Sequence, residues 1–380
     1  MPFKYERKTV FYGQPMDRVA LVTGDINNDG NDEILVAGRI PEMGLHWYEP
    51  DGDGLWKQHL IDDDFHRIEA GGVLFDVDGD GRLDFIAGGD WKGDRLCWWQ
   101  CPENPRQPWK RRLIHHMEAN ASHDQIVADI DGDGRPELYF WNQHANKLKV
   151  VPVPDDPTIE PWPNVADVAT DVKGGEGFAI ADVDGDGKPE LIAGQAYYKY
   201  LGPGNYEEIP FTVGYASPRL AAGDFLGSGT TQIVLAEGDA SMARPRYENG
   251  ERAFGRLVLF QPPATKNELW TPTLLHDHLE DPHSLFAHDF DGDGRPEIFV
   301  GELGNPNGKA RHPEAQRIYD FVDGEPVEHI IDYNLGTHEA KLLRFQGQDC
   351  IAGKPYRNHD KPRHGNPEVD AIHIWCPVDA

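Results

Sequence analysis

One nine-residue motif returns along the chain and constrains its fold more than any other feature. Its full form has Asp or Asn at positions one, three and five, Gly at position six and an acid at position nine. Five such copies begin at Asp25, Asp76, Asp129, Asp182 and Asp289. A degenerate copy begins at Asp224, and a seventh unit at Arg344 keeps the surrounding pattern without the carboxylates. Units that recur about every fifty residues indicate a repeat architecture.

Apolar runs flank each motif and predict four strands per repeat. Residues 178–181 precede the fourth motif and residues 190–194 follow it, which favours two short strands joined by a tight turn. A third and a fourth run complete each unit, as in a propeller blade. The fourth strand of the seventh blade is supplied by residues 6–11 at the N-terminus. This strand would pair with the C-terminal strand at residues 371–376. We therefore predict an all-β, seven-bladed β-propeller, closed by this pairing, that spans residues 1–380 as a single domain.

The motif has the composition of a calcium-binding turn. Carboxylates at alternate positions, with a Gly that allows a sharp bend, place several oxygen ligands around one point, and calcium accepts such irregular oxygen geometry. A plain Asp-Gly turn without metal is the alternative interpretation. The predicted calcium ligands are Asp25, Asn27, Asp29, Glu33, Asp76, Asp78, Asp80, Asp84, Asp129, Asp131, Asp133, Glu137, Asp182, Asp184, Asp186, Glu190, Asp289, Asp291, Asp293 and Glu297.

These nonapeptides resemble the FG-GAP or VCBS repeats of integrin-type propellers, and the resemblance extends over nearly the whole chain. It implies the propeller fold and calcium in the turns. It says little about function, because such repeats occur in adhesins, lectin-like modules and sugar lyases.

A second set of polar residues shares one place in the repeat. Four potential metal ligands, His123, Glu176, His283 and His338, stand six positions before the first residue of their motifs. Arg18, Glu69 and Arg219 lie one position away from this offset in three other repeats. If each inner strand runs toward its acidic turn, these side chains meet at the opposite channel mouth. Three imidazoles and a carboxylate suit Zn²⁺, Mn²⁺, Fe²⁺ or Ni²⁺, although each His could instead hydrogen-bond a neighbouring turn.

The loops that follow the second strands should return to this mouth. Aromatic rings beside basic groups there would form a platform for a carbohydrate, since sugar faces stack on rings and hydroxyls bond to charged groups. The predicted substrate-binding residues, besides Glu69, are His46, Trp47, Trp91, Lys92, His144, Tyr197, Tyr198, Lys199, Glu302, Asn305, Lys354 and Tyr356.

A His-lined channel in a repeat propeller resembles aldos-2-ulose dehydratase and, more loosely, the ulvan and rhamnogalacturonan lyases. The resemblance implies a metal-dependent carbon–oxygen lyase that eliminates across a carbon–carbon bond of a keto-sugar, glycoside or uronic-acid glycan. A metal ion, or Arg219 with Arg18, would stabilise the enolate. The predicted bases are His123, His283, Tyr197 and Tyr198, although a His that binds metal cannot also be the free base. The alternative is a non-catalytic, calcium-stabilised propeller that binds glycan or protein.

Charge and hydropathy limit the kinds of partner that the protein can bind. The formal net charge of −29 excludes a nucleic-acid ligand. No segment is apolar over the length of a membrane span, and the N-terminus has no export signal, which favours a soluble, cytoplasmic protein. Cys97, Cys101, Cys350 and Cys376 lack metal-knuckle spacing and are interpreted as mostly buried thiols, with one disulfide as the alternative. The oligomeric state does not follow from the sequence.

Overall fold

Seven four-stranded antiparallel sheets form the blades of the propeller in a computed structural model of the chain. The structure describes residues 3–13, 18–39, 44–52, 54–64, 67–238, 253–265, 268–304, 312–355 and 370–378. The predicted all-β, seven-bladed architecture is confirmed. Within those ranges the one helical element is a 3₁₀ turn at Gln143–Ala145, and no helix is long and apolar enough to cross a membrane.

Six blades use four consecutive strands each, numbered from the channel outward. Blade 1 contains β2 (Arg18–Gly24), β3 (Glu33–Gly38), β4 (Leu45–Glu49) and β5 (Lys57–Asp62). Blade 2 contains β6 (Val73–Phe75), β7 (Asp84–Gly88), β8 (Arg95–Gln100) and β9 (Lys110–His116). Blade 3 contains β10 (Gln125–Ala128), β11 (Glu137–Asn142), β12 (Lys147–Pro152) and β13 (Ala166–Thr170).

The second half of the ring repeats this order. Blade 4 contains β14 (Phe178–Ala181), β15 (Glu190–Ala193), β16 (Ala196–Gly202) and β17 (Asn205–Pro210). Blade 5 contains β18 (Pro218–Gly223), β19 (Gln232–Glu237), β20 (Gly255–Gln261) and β21 (Thr271–Leu279). Blade 6 contains β22 (Pro282–His288), β23 (Glu297–Glu302), β24 (Ala315–Val322) and β25 (Glu325–Tyr333).

Blade 7 is built from both ends of the chain. It combines β26 (Glu339–Phe345), β27 (Gln348–Lys354) and β28 (Ala371–Pro377) with the N-terminal β1 (Tyr5–Tyr12) as its outer strand. Strands β1 and β28 are antiparallel, with Arg7 opposite Trp375, as the sequence predicted. A disulfide joins Cys350 of β27 to Cys376 of β28, whereas Cys97 and Cys101 are buried free thiols. The predominant expectation of free thiols therefore holds for two of the four cysteines.

The core lies between adjacent blades, which explains the apolar composition of the second strands. Every residue of β3 is buried. Leu35 and Ala37 pack toward blade 2, whereas Ile34 and Val36 pack toward blade 7. A strand covered on both faces reads as a continuous apolar run because alternate side chains enter two different interfaces.

The inner strands β2, β6, β10, β14, β18, β22 and β26 surround the channel, and neighbouring members contact each other. Each of the first six ends at its nine-residue turn, so the turns share one face. The residues before each inner strand consequently lie together at the opposite face.

Candidate functional site

The acidic turns are organised by their first aspartate. In blade 2, Asp76 Oδ1 accepts a hydrogen bond from Asp80 N at 3.0 Å, and Asp76 Oδ2 accepts one from Gly81 N at 2.9 Å. Gly81 has a φ of +85°, a conformation that a residue with a Cβ rarely adopts. The first and sixth positions thus shape the loop, which leaves the other carboxylates to face one another.

Four of the five full motifs gather carboxylate oxygens within 4.8 Å of one another. These groups are Asp76, Asp78 and Asp84; Asp129, Asp131, Asp133 and Glu137; Asp182, Asp184 and Glu190; and Asp289, Asp291, Asp293 and Glu297. In the first motif Asn27 stands at position three, and its amide Nδ2 donates to Asp29 Oδ2 at 3.1 Å and to Glu33 Oε1 at 3.0 Å. That turn lies outside the four groups found among the described residues.

The acids at position nine of the motif have raised pKa values because they are buried and because negative charges lie close together in the turns. Burial, together with repulsion from the neighbouring aspartates, raises the pKa of Asp84, Glu137 and Glu297 to about 7 and that of Glu33 to about 8. A cation among the oxygens would offset this repulsion, and the all-oxygen donor set suits calcium. Bound calcium would supply structural stabilisation of the turns.

The opposite mouth of the channel holds a ring of side chains that we call the histidine ring: His123, Glu176, Arg219, His283 and His338. Each is only 5–7% exposed. The rings of His283 and His338 stack with centroids 4.5 Å apart, and His123 Nε2 lies 3.9 Å from Glu176 Oε1. The structure therefore brings together at one mouth side chains that stand at one offset in the repeats, together with Arg219 from the neighbouring position.

Arg219 sits among the members of the histidine ring. Its Nη1 lies 2.8 Å from Glu176 Oε2, while Nη2 donates to His283 Nδ1 at 2.9 Å and Nε donates to the His283 carbonyl at 3.1 Å. A guanidinium is permanently charged and cannot ligate a metal. The Arg219 guanidinium thus contacts two of the four predicted metal ligands, Glu176 and His283, and a transition-metal site formed by the four stays a prediction.

The histidines of the ring have opposite electrostatic settings. Burial alone would lower the pKa of His123, but Asp124 and Glu176 outweigh it and raise that pKa to about 9. Burial lowers the pKa of His283 and His338 well below the usual value, and Arg219 and His283 respectively add to the effect. His338 Nδ1 lies 3.0 Å from the Val19 carbonyl, so Nδ1 must carry the hydrogen and Nε2 the lone pair.

The sequence analysis did not identify three further charged residues of the site, Asp124, Glu339 and Lys341. Asp124 Oδ2 lies 3.0 Å from His123 Nδ1, and His123 and Arg219 hold the pKa of Asp124 far below its usual range despite its burial. Lys341, on β26, pairs with Glu339 at 3.1 Å. Asp124, Arg219, His283, Glu339 and Lys341 line a cavity of about 160 Å³ in the channel beneath the ring. Asp124 directly follows the shared offset, which could have revealed it.

Part of the predicted rim lies where it was expected. Trp91 is 40% exposed in the loop after β7, and the Arg39 guanidinium lies 4.6 Å from the centre of its ring. Arg39 also forms an ion pair with Glu69. Lys92 and His144 are exposed in loops on the same face, and His46 is near the start of β4.

Other predicted rim residues lie elsewhere. Trp47 and Tyr198 are buried in the cores between blades, and Tyr197 packs against Trp270. Lys199 bonds to the acidic turn on the opposite face. The hairpin between β15 and β16 has only two connecting residues, so β16 leaves the mouth at once. This geometry removes both tyrosines as candidate bases.

Two more residues of the predicted rim, Glu302 and Lys354, are buried and are therefore not available to bind a substrate. Glu302 is fully buried and forms an ion pair with Arg317 at 2.6 Å. Lys354 is also buried; its carbonyl accepts a hydrogen bond from His338 N at 3.0 Å. The Arg18 side chain, Asn305 and Tyr356 lie outside the described residues.

Comparison with known proteins agrees with this architecture. The family model described as FG-GAP-like repeat matches residues 25–87, 76–140 and 129–193. The seven-bladed β-propeller thus carries FG-GAP-like repeats within residues 25–193. No curated protein sequence matches it.

Two solved structures are similar over nearly all of the chain. Rhamnogalacturonan lyase YesW is 15% identical, with 98% of this chain and 75% of that chain covered and a TM-score of 0.49. A putative oxidoreductase (glucose dehydrogenase) from Thermus thermophilus is 13% identical, with 98% and 99% covered and a TM-score of 0.47. Neither similarity bears on the function of this chain.

Proposed function

We propose that the protein is a carbohydrate-active enzyme that catalyses β-elimination at the histidine ring. The observation that carries this proposal is the contrast in the surroundings of two ring histidines: His123 lies 3.0 Å from Asp124 Oδ2 and 3.9 Å from Glu176 Oε1, whereas His338 stacks on His283 and faces the Val19 carbonyl. His123, with a pKa of about 9, is a protonated acid, while burial keeps His338 neutral. Paired groups whose surroundings push their pKa values apart are the usual arrangement of a general acid and a general base.

The proposed reaction starts with removal of a proton from the carbon next to a carboxylate or carbonyl. His338 takes that proton on Nε2, the nitrogen that bears its lone pair. The electrons of the broken C–H bond move toward the carbonyl oxygen, and the fixed charge of Arg219 stabilises the resulting enolate. As the double bond forms, the C–O bond at the β-carbon breaks, and His123 donates its proton to the departing oxygen. The two histidines end in reversed protonation states, which exchange with water restores.

Carbohydrate as the substrate class is supported by the rim. Trp91 offers an exposed indole, and beside it lies the guanidinium of Arg39, which is held by an ion pair with the buried Glu69. An aromatic surface next to paired polar groups is a common way to bind sugars. This platform and the histidine ring belong to the same mouth of the channel.

The test is an ultraviolet assay for unsaturated products on a panel of uronic-acid glycans, glycosides and keto-sugars. We expect activity in the wild type and a loss of about 10²-fold or more in His338→Gln and His123→Asn. His116→Asn is the matched control, because His116 lies on outer strand β9 with 61% of its side chain exposed. Equal activity in all four proteins, or no product from the whole panel with folded wild type, would contradict the proposal.

A non-catalytic role has one observation in its favour. The members of the histidine ring are nearly buried and bonded to one another, as expected of a structural plug. In that case the ring variants would lower the melting temperature, and a Trp91→Ala variant alone would weaken glycan binding measured by calorimetry.

A further inference from the structure

The acidic turn of blade 4 differs from the other three acidic groups because a lysine of its own blade enters it. Lys199 Nζ hydrogen-bonds to Asp184 Oδ2, lies 2.7 Å from Asp186 Oδ2 and is 3.9 Å from Glu190 Oε1. These carboxylates hold positions three, five and nine of the motif. An ammonium group offers three donors and one positive charge, so it satisfies the same oxygens that would ligate a metal ion.

The position of Lys199 is a defined place in every blade. It follows Tyr198, which pairs with Leu191, so it stands across from Glu190, the position-nine acid. By the same count Gln100 stands across from Asp84 in blade 2, and Asp320 stands across from Glu297 in blade 6. Pro152 pairs with Glu137 in blade 3. Among these four blades, therefore, the residue across from the position-nine acid is a cation only in blade 4.

Blade 2 shows what the turn looks like without that cation. Gln100 Nε2 donates there to Asp78 Oδ2 at 2.6 Å, so a neutral amide stands where blade 4 has an ammonium, and the cation nearest this turn is Arg82, which pairs with Asp80 at its edge. In blade 4 the Lys199 ammonium places a positive charge within 4 Å of three carboxylates of the turn. A cavity of about 450 Å³ is lined in part by Asp182 and Asp184. An ion in solvent can therefore reach the blade 4 turn.

We propose that Lys199 is a tethered cation that takes the place of calcium in blade 4, so that this turn excludes the ion while those of blades 2, 3 and 6 accept it. Two cations cannot share one small cluster of oxygens without strong repulsion. To bind calcium, the turn would have to release the Lys199 ammonium from three carboxylates. Calcium therefore does not replace Lys199 at concentrations that fill the turns of blades 2, 3 and 6.

Calcium stoichiometry of the metal-stripped full chain, measured by equilibrium dialysis and titration calorimetry, tests this assignment. Lys199→Gln, which installs the residue type found in blade 2, should bind one more calcium ion per chain than the wild type. The reciprocal Gln100→Lys should bind one fewer. Lys188→Gln is the matched control, because Lys188 belongs to the same turn and carries the same charge, yet its side chain is exposed. Its calcium count should equal that of the wild type.

Three outcomes of these calcium measurements would contradict the proposal. An unchanged count in Lys199→Gln, with native circular dichroism, overturns it, as does the same gain in Lys188→Gln. If Lys199→Gln does not fold, Gln100→Lys decides, and retention of the full wild-type count in that protein overturns it equally. The readout is metal bound per chain, so it is independent of any enzymatic activity.

Discussion

Asp124 and Arg219, from blades 3 and 5, are joined across the channel by an ion pair in which Nη1 lies 3.3 Å from Oδ2. The same carboxylate oxygen accepts a hydrogen bond from Gly177 N of blade 4 at 2.8 Å. It also lies 3.0 Å from His123 Nδ1. One carboxylate therefore connects three blades and holds the proton of the proposed acid, which makes Asp124 a positioning residue.

Replacement of Asp124 by Asn should move the pKa of His123 from about 9 toward the ordinary value of 6.5. The amide keeps the size of the side chain but removes the charge that favours the imidazolium. Titration of the imidazole resonances by NMR measures the change. Asp349→Asn is the control, because Asp349 pairs with His288 at 3.0 Å on the other face. An unchanged His123 pKa in Asp124→Asn would show that Asp124 does not hold the proton.

The rate of elimination should depend on pH with a bell-shaped profile. On the alkaline side kcat/KM should fall above pH of about 9, because His123 loses its proton. On the acid side kcat/KM should decrease only at pH values well below the usual pKa of histidine, because burial lowers the pKa of His338 and the base becomes protonated only there. His123→Asn should abolish the alkaline limb and retain the acid limb. A single limb in the wild type would mean that the two histidines do not share the acid and base roles.

Calcium should stabilise the protein more at alkaline than at acid pH. Since Asp84, Glu137 and Glu297 have folded pKa values of about 7, above their unfolded values, their contribution to stability is present at acid pH and is lost as pH rises through about 7. A bound cation removes that loss. The calcium-induced increase in melting temperature, measured by differential scanning fluorimetry, should be larger at about pH 8 than at about pH 5.5. The reverse order would show that protons and calcium do not compete for these turns.

Loss of the disulfide should weaken the closing blade. Cys350 and Cys376 are 26 residues apart, and a cross-link over such a loop contributes about 3 kcal/mol to the free energy of unfolding. Cys350→Ser with Cys376→Ser should lower the urea midpoint by a corresponding amount. Reductant should lower the wild-type midpoint to the same value and leave that of the double variant unchanged. Equal midpoints in all four conditions would show that the bridge does not contribute.

The sequence was sufficient for the repeat, the number of blades and the strand that closes the ring, because each depends on local patterns of known period. It also brought His123 and His338 to one mouth from a shared offset. It also named Arg219 at that mouth, but it did not predict that the guanidinium would contact Glu176 and His283, two of the predicted metal ligands. That outcome depends on side-chain packing across the channel. Lys199 was misplaced because the turn before β16 is shorter than expected, and strand direction then carries its side chain to the opposite face.

The pairing of β1 with β28 has a consequence for the order in which the ring can assemble. During synthesis the strand Tyr5–Tyr12 is made hundreds of residues before its partner Ala371–Pro377. Until then the first strand has no sheet to join, and blades 1 and 6 each lack their neighbour at the gap. Contacts between such distant segments form slowly and late. The pairing that closes the ring therefore becomes available only after the other six blades have been synthesised.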